Sequence, residues 1–317
     1  MNKLTKTRQL ILDEFIKCLE EDDIMWHKTW KVVNPMNALS RHTYQGINNL
    51  LLSYISQVRN YKDPRWITFN QVKTNGWKLN NAKGQGVPIE YWSLYDTEEK
   101  RILTQQEAKP ILETEPERIR YIAKTYIVFN ASLVEGISPF IEESKQIENE
   151  HIMEFFNSYL EAENITLEHA GNSACYIPSL DTIKMPLFEM FQSEMEYYDA
   201  LAHEIAHSTG NEKRLNRDLS GCFGSENYAR EELRAEISSA FLNAELGIPP
   251  SQKRMNNHKA YIQGWIKTLK EHPNELFKAI QDAETIKDYI LEKGDLEFIV
   301  NSSIKEPEIE TIDLGGL

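Results

Sequence analysis

The sequence predicts an α+β protein made of two domains. Residues 1–140 carry 19 Lys and Arg against 16 Asp and Glu, whereas the remaining residues carry 16 against 33. In the first part, alternating runs rich in β-branched residues stand between helical patterns and indicate an antiparallel sheet. In the second part, three short strand candidates precede a long series of helical segments. We therefore predict an N-terminal domain over 1–140, a C-terminal domain with a small sheet over 141–300, and an acidic, mobile tail over 301–317.

Composition excludes several classes of protein. The chain has 317 residues, 41% of them apolar, which is ample for a packed core. No run of about 18 apolar residues is present, so no membrane span is predicted, and the N-terminus lacks the apolar stretch of a secretory signal. Cys18, Cys175 and Cys222 have no CxxC spacing, which favours reduced thiols and a cytoplasmic location. The net charge of −14 disfavours nucleic acid as a partner of the whole chain, but residues 1–140 are slightly basic.

The elements of the first part follow from hydrophobic periodicity. Leu10, Phe15 and Leu19 recur at helical spacing, and the run YIAKTYIVF alternates in the manner of a strand. The predicted elements are a helix over about 4–21, a helix over about 46–58, a short helix capped by Thr68, and strands over 87–95 and 118–129. Turn residues and a charged run place the domain boundary within 134–150.

The second part is predicted to hold a small sheet followed by helices. The predicted elements are a helix over 149–162, strands over 165–168, 174–177 and 182–185, and nearly continuous helix from about 193 to 292. Pro178–Asp181 forms the turn between the last two strands.

The sharpest motif is His203-Glu204-Ile205-Ala206-His207. It lies in a helical pattern without Pro or Gly that ends near Gly210. Because residues i and i+4 share one face of a helix, both imidazoles can reach one metal ion, and Glu204 is left to act as a general base. The spacing indicates a catalytic metal centre of the metallopeptidase type, with Zn²⁺ as the expected ion and Mn²⁺ as the alternative.

A third protein ligand must come from outside this motif. The extended form HExxHxxGxxH is absent because position 213 is Lys. The helical run over 228–246 presents Glu232 and Glu236 on one face. We predict Glu232 as the third ligand and Glu236 as the carboxylate that orients an imidazole, with the reverse assignment left open. Glu231, one residue off that face, is predicted to be exposed to solvent.

Basic and aromatic residues interleave over 26–92, as they do in grooves that bind single-stranded nucleic acid. The alternative is that the aromatic residues form the core of a small domain. The residues predicted to contact DNA are Arg41, Tyr44, Arg65, Trp66 and Lys83.

The motifs together resemble the ArdC-type antirestriction proteins of plasmids and other mobile elements. The matching pieces are MWHKTW, NALSRHTYQGINNLLL, DPRWITFNQVKTNGWKL, PIEYW, AGNSACYIPSLDTIKMPLFEMF, YYDALAHEIAHSTGNEKRLNRD and ENYAREELRAEISSAFLNAELGI, in this order over roughly 10–300. The resemblance implies an N-terminal domain that binds single-stranded DNA and a C-terminal zincin-like metallopeptidase domain. It implies that His203 and His207 are metal ligands, that Glu204 is the general base, and that the helix containing Glu231–Glu236 supplies the acidic ligand. It also implies a role in protecting incoming DNA from restriction enzymes.

Three functions remain open at this stage beside DNA protection by a protein with an active peptidase. The chain could coat DNA with a metal site that only braces the fold. It could be a protease that depends on DNA and cleaves DNA-bound proteins, or a peptidase without DNA dependence. In each catalytic case an extended peptide is expected to pair with the sheet edge near His169–Tyr176.

Overall fold

In the computed structural model the described residues are 4–20, 34–141, 149–222, 224–249, 259–296 and 299. The helices are α1 (Lys6–Glu20), α2 (Gly46–Val58), α3 (Phe69–Thr74), α4 (Gln105–Thr114), α5 (Asn149–Ala162), α6 (Glu194–Ser208), α7 (Glu226–Leu246), α8 (Lys259–Glu271) and α9 (Glu275–Gly294). The strands are β1 (Met36–Asn37), β2 (Arg65–Thr68), β3 (Lys78–Leu79), β4 (Val87–Asp96), β5 (Arg101–Leu103), β6 (Ile119–Asn130), β7 (Val134–Glu135), β8 (Thr166–His169), β9 (Cys175–Ile177) and β10 (Thr182–Met185). The predicted α+β class is confirmed. The tail predicted over 301–317 lies outside the described residues.

The chain divides into two compact units. The first consists of Met1–Glu143 with Asn257–Gln281, and the second of Ser144–Asn256 with Asp282–Leu317. The sequence assigned 257–281 to the C-terminal domain, whereas α8 lies against α1 in the first unit. A helix that returns to an earlier domain carries the same amphipathic pattern as any other, so periodicity could not reveal its destination.

The first unit is built on a five-stranded sheet in the order β1-β2-β6-β4-β5. All neighbours are antiparallel except β1 and β2. The longest ladder joins β4 to β6, from Val87 opposite Val128 to Asp96 opposite Ile119.

Local signals fix the start of α3 and α4. Thr68 accepts a hydrogen bond from the backbone N–H of Gln71, and the Gln71 side chain accepts one from the Thr68 N–H, so the predicted cap is a complete capping box. Thr104 and Glu107 form the same motif at α4. Helix α4 was not predicted from the sequence, because Pro110 lies inside it and Pro normally ends a helix. It also missed β2, a strand too short to show alternation.

The second unit packs its helices against a three-stranded sheet in the order β8-β10-β9. The central strand β10 is parallel to β8 and antiparallel to β9. Its core combines aromatic residues of α5 with apolar residues of β10 and α6, among them Phe155, Phe156, Tyr159, Ile183, Met185, Leu201 and Ile205. The predicted strand positions are within one residue of those observed. In the part of the chain that the structure describes, no helix combines the length and apolar character needed to cross a membrane.

Candidate functional site

Helix α6 carries His203, Glu204 and His207 of the sequence motif. Ser193 caps its N-terminus by accepting a hydrogen bond from the Glu196 N–H at 3.2 Å. Leu201 and Ile205 lie in the core of the unit and are fully buried. The two histidines occupy another face of the same helix, one turn apart. Packing of Leu201 and Ile205 in the core therefore fixes the direction in which the histidine-bearing face of α6 points.

His203, His207 and Glu232 converge, and we call these three residues the metal cluster. The Nε2 atoms of the two histidines lie 3.1 Å apart. One carboxylate oxygen of Glu232 lies 3.6 Å from the His203 Nε2, and the other lies 3.5 Å from the His207 Nε2. Ligands about 2.0–2.2 Å from one tetrahedral ion lie roughly 3.3–3.6 Å from each other. The two separations between Glu232 and the histidines fall within this range, and the Nε2–Nε2 separation is slightly below it, so the donor atoms are close to the spacing that a single divalent ion requires.

Each imidazole of the cluster has a carboxylate on its other nitrogen. Glu236 lies 3.3 Å from the His203 Nδ1, and Glu231 lies 3.3 Å from the His207 Nδ1. Such partners fix the tautomer and leave Nε2 free to coordinate a metal. The structure thus places Glu232 at the Nε2 atoms of both histidines and Glu236 at the Nδ1 of His203.

The prediction that Glu231 is exposed to solvent was wrong, since only 7% of it is exposed. Arg217 donates two hydrogen bonds to its carboxylate, at 3.0 and 2.7 Å. The same guanidinium donates to the Ala206 carbonyl and the Thr209 hydroxyl at the end of α6. Arg217 therefore joins the two helices that carry the cluster and compensates the buried charge of Glu231.

The cluster concentrates negative charge in a buried place. Burial opposes protonation of His207, but hydrogen bonds to Glu231 and then Glu232 outweigh burial and raise the pKa of His207 to about 10. Burial also opposes ionisation of Glu232, yet His203 and His207 hold the pKa of that carboxyl well below its usual range. In the absence of another cation the carboxylates draw protons onto the imidazoles. A divalent ion would supply the same positive charge, so the electrostatics fit a cation site.

Glu204 lies beside the cluster but is not part of it. It is only 7% exposed, and it has no hydrogen-bond or ion-pair partner among the residues that the structure describes. Burial and, to a smaller extent, the charge of Glu204 raise the pKa of the Cys175 thiol, so the edge strand β9 runs near this carboxylate. A buried carboxylate without a fixed partner is available to a water molecule or a substrate.

Two of the five residues predicted to contact DNA are core residues, which corrects the prediction. Trp66 is fully buried and packs edge to face on Tyr61. Arg65 is 3% exposed, and its guanidinium binds Asp63 and the Ser138 carbonyl. Neither side chain can stack on a base or contact a phosphate from these positions. Both belong to β2, which lies between two other strands of the sheet.

The remaining three predicted DNA contacts lie nearer the surface. Arg41 is exposed and its guanidinium lies 5.9 Å from the ring centre of Phe140. Tyr44 is half-buried, and burial raises the pKa of its hydroxyl against the opposing effect of a hydrogen bond with Asn37. Lys83 is exposed. Trp26 and Trp30, which contributed to the prediction, lie outside the described residues.

Arg217 and the exposed side chains of β6 are absent from the residues predicted from the sequence. Arg217 lies in the loop after α6, where no spacing rule connects it to Glu231. The exposed residues Arg120, Lys124 and Tyr126 could have been found, because they alternate along a strand that the sequence did predict.

Two family models match the chain. Residues 5–129 match the N-terminal domain of the anti-restriction factor ArdC, and residues 154–282 match a zincin-like metallopeptidase. The second match contains the whole metal cluster.

Several relatives are similar over most of the chain. Two DNA primases named TraC from Escherichia coli are 36% and 35% identical over 89% of this chain. The chain spans only 20% and 26% of the length of these two relatives. The uncharacterized protein y4eC of Sinorhizobium fredii is 32% identical over 84% of this chain and 83% of its own length.

Solved structures of an ArdC protein also match the chain. Crystal structures of the antirestriction protein ArdC from plasmid R388, one bound to Mn(II) and one free of metal, match with a TM-score of 0.72 and 26% identity over 92% of this chain and 98% of theirs. Mn(II) in one of them supports a divalent metal for this fold. The order of the two domain matches and the likeness along the whole chain show that the protein belongs to the family of ArdC-type antirestriction proteins, with a zincin-like metallopeptidase domain after the ArdC N-terminal domain.

Proposed function

We propose that the chain is an antirestriction protein that binds single-stranded DNA through its first unit and hydrolyses peptide bonds through its second. The observation that carries the enzymatic part is the convergence of His203, His207 and Glu232, with Glu204 buried and unpartnered beside them. A site that only braced the fold would have no use for a fourth, uncompensated carboxylate.

The proposed metal is Zn²⁺, with Mn²⁺ as the alternative. Two imidazoles and one carboxylate form the ligand set of many catalytic zinc sites, which leave a further position open. A divalent ion held there would act as a Lewis acid on a peptide carbonyl and lower the pKa of water. We propose His203, His207 and Glu232 as its protein ligands.

The residues around the ligands have separate tasks. Glu204 would accept a proton from the attacking water and pass it to the amine of the leaving peptide. Glu236 and Glu231 would hold the two imidazoles in the tautomer that presents Nε2. Arg217 would keep Glu231 in place, because it binds both of its carboxylate oxygens.

The proposed substrate is an extended peptide. Within the described part of the chain, β9 pairs only with β10, so its other side is an open edge. An extended peptide can add to such an edge through main-chain hydrogen bonds. Because β9 packs against α6, the helix that carries Glu204, a peptide paired there would pass near the proposed general base.

The ArdC N-terminal domain and the similarity to proteins named DNA primase support DNA as the partner of the first unit. Protection of DNA from restriction enzymes is the role that this combination fits. A cytoplasmic location agrees with this role and with Cys175 and Cys222 as free thiols.

The proposal is tested by casein cleavage with wild-type protein, Glu204→Gln and the matched control Glu212→Gln, each with and without single-stranded DNA. Glu212 is exposed and lies just past α6. Loss of a general base typically lowers the rate by about 10²–10⁴-fold. We expect that loss for Glu204→Gln only, with its metal content unchanged, and abolition of wild-type cleavage by a chelator.

The outcomes separate the rival functions. Cleavage that rises when DNA is added identifies a protease directed to DNA-bound proteins, whereas cleavage that is indifferent to DNA identifies an independent peptidase. If wild type holds metal but cleaves no better than Glu204→Gln, the peptidase proposal fails and a DNA-coating protein with a bracing metal site remains.

A further inference from the structure

One face of the β4–β6 ladder is partly exposed in the first unit, although Val87, Ile89 and Ser93 on that face are buried. The register places Tyr91 opposite Lys124, Tyr95 opposite Arg120, and Ile89 opposite Tyr126. Cross-strand partners point to the same face of a sheet, so these side chains form one surface. Ile102 of β5, opposite Tyr95, extends it. We define the open face as Tyr91, Tyr95, Ile102, Arg120, Ile122, Lys124 and Tyr126.

Helix α1 packs on part of the opposite face of the same ladder. Thr5 donates a hydrogen bond to the Glu90 carboxylate at 2.7 Å, and Arg8 binds that carboxylate at 3.0 Å. Thr7 lies 3.4 Å from Thr125, the cross-strand partner of Glu90. The ladder is therefore packed around Glu90 on that face, whereas Trp92 and Tyr121 of the same face remain exposed.

Large aromatic side chains remain exposed on the open face. Tyr91 is 58% exposed and Tyr126 is 43% exposed. The two rings meet edge to face with their centroids 6.1 Å apart. Contiguous exposed aromatic surface on a sheet is unusual unless it binds a ligand.

The charges of the open face favour an anionic partner. Arg120 and Lys124 are exposed and form no hydrogen bond or ion pair with any residue that the structure describes. No acidic residue lies on this face of β4, β5 or β6. In a chain of net charge −14, this surface carries two uncompensated cations. Exposed rings interleaved with free cations match unpaired bases and their phosphates, whereas duplex DNA hides the faces of its bases.

We propose that the open face is the single-stranded-DNA platform of this protein. Tyr91 and Tyr126 stack on unpaired bases, and Lys124 and Arg120 contact the phosphates. This inference rests on the proposed DNA-binding function and replaces the buried Arg65 and Trp66 as its contact residues.

The test is the affinity for a fluorescently labelled oligothymidylate of about 20 nucleotides, longer than single-strand sites of roughly 4–16 nucleotides. We expect Tyr91→Ala and Tyr126→Ala each to weaken binding by about 5- to 150-fold. Tyr91→Phe keeps the ring and should bind like wild type. Tyr121→Ala is the matched control, because Tyr121 is also exposed and lies on β6 like Tyr126, but it pairs with Leu94 on the other face.

The phosphate contacts are tested separately, by the dependence of the affinity on salt concentration. The slope of log affinity against log salt concentration should become shallower by about 0.7 in Lys124→Gln, as expected for the loss of one phosphate contact. Lys109→Gln, at an exposed position of α4, should leave the slope unchanged. Melting temperatures of all variants should match that of wild type, since every substituted side chain is exposed.

The possible failures can be told apart. If wild type binds the oligonucleotide and the Tyr91, Tyr126 and Lys124 variants bind equally well, the open face is not the DNA site although the proposed function stands. If wild type does not bind at all, the DNA-binding function fails and the platform with it. If the tyrosine variants change only self-association in sedimentation experiments, the face is an interface between copies of the chain and the inference is overturned.

Discussion

The metal cluster of the second unit and the open face of the first satisfy their polar groups in opposite ways. In the cluster, Glu236 and Glu231 hold the two imidazoles, and Arg217 holds Glu231. On the open face, Lys124 and Arg120 have no partner within the described residues. A buried cluster needs fixed partners because unpaired polar groups there are costly, whereas exposed cations are hydrated and need no protein partner.

This difference predicts how each region responds to mutation. Removal of one member of a buried network leaves the others uncompensated, so the effects should be large and dependent on one another. Contacts on an exposed platform act more nearly one by one, so the effects should be moderate and additive. The following predictions test this contrast, from the largest effect to the smallest.

The largest effect is expected in a buried charge network beside α6. The Arg214 side chain is fully buried and binds Asp181, Glu163 and the Ser208 carbonyl. Arg214→Leu removes the buried cation from both carboxylates, which keep hydrogen bonds from Tyr176 and Tyr289 and, for Asp181, from the exposed Lys213. The substitution should lower the free energy of unfolding of the second unit by about 3–5 kcal/mol, measured by urea denaturation.

The matched control is Lys184→Met, which removes an exposed ion pair with Glu168 in the same unit. It should change the free energy of unfolding by no more than about 1 kcal/mol. Equal effects of the two substitutions would show that burial does not separate the two kinds of charge in this protein.

A second contrast lies within the first unit. Trp66→Ala removes a fully buried ring and should lower the free energy of unfolding by about 3–5 kcal/mol. Trp66→Phe, a milder change, should leave the affinity for single-stranded DNA at the wild-type value. If Trp66→Phe weakens DNA binding by as much as Tyr91→Ala does, then Trp66 acts as a DNA contact after all.

The carboxylates that contact the Nδ1 atoms of the histidines are expected to raise the affinity of the site for its metal. Glu236→Gln keeps a hydrogen-bond acceptor for the His203 Nδ1–H but removes its charge, so the affinity for Zn²⁺ should fall by about 10- to 100-fold. The measurement is competition with a coloured chelator, with Glu212→Gln as the control of equal chemistry. Unchanged affinity would mean that the charge of Glu236 does not reach the cluster.

The smallest effect concerns the cap of α4. The Thr104 N–H, then Arg101 and the Thr104 hydroxyl, lower the pKa of Glu107 from 4.5 to about 2. Because the folded-state pKa is depressed, the ionised group stabilises the fold above pH 4.5, and this stabilisation is lost as the pH falls towards 2.

Glu107→Gln should therefore lower the melting temperature slightly at neutral pH, by less than either substitution that removes a buried group, since Glu107 is exposed. The difference from wild type should disappear below about pH 2. A difference that persists there would show that the cap acts through its shape alone and not through its charge.

The metal motif could be predicted because its information is local. His203 and His207 share a helix face by spacing, and Glu232 and Glu236 share another by the same rule. The direction of each carboxylate was a matter of tertiary packing, which is why the sequence left two assignments open. Glu231 was misplaced because its partner Arg217 reaches it from a loop, and no periodicity records such a contact.

The first unit shows the reverse case. Aromatic and basic composition pointed towards DNA, but composition does not tell a core tryptophan from an exposed tyrosine. Trp66 lies in a four-residue strand, too short to show which side is buried. In the longer β4 and β6, the register decides which residues of the two strands share a face, and register is a property of the folded sheet.

The most direct test of the account is the metal content of purified protein by elemental analysis after expression with zinc supplied. Wild type and Glu212→Ala should carry about one divalent ion per chain, as a single three-ligand site requires, and Glu232→Ala should carry almost none. A metal-free wild type, or full occupancy in Glu232→Ala, would contradict the assignment of His203, His207 and Glu232 as the metal site.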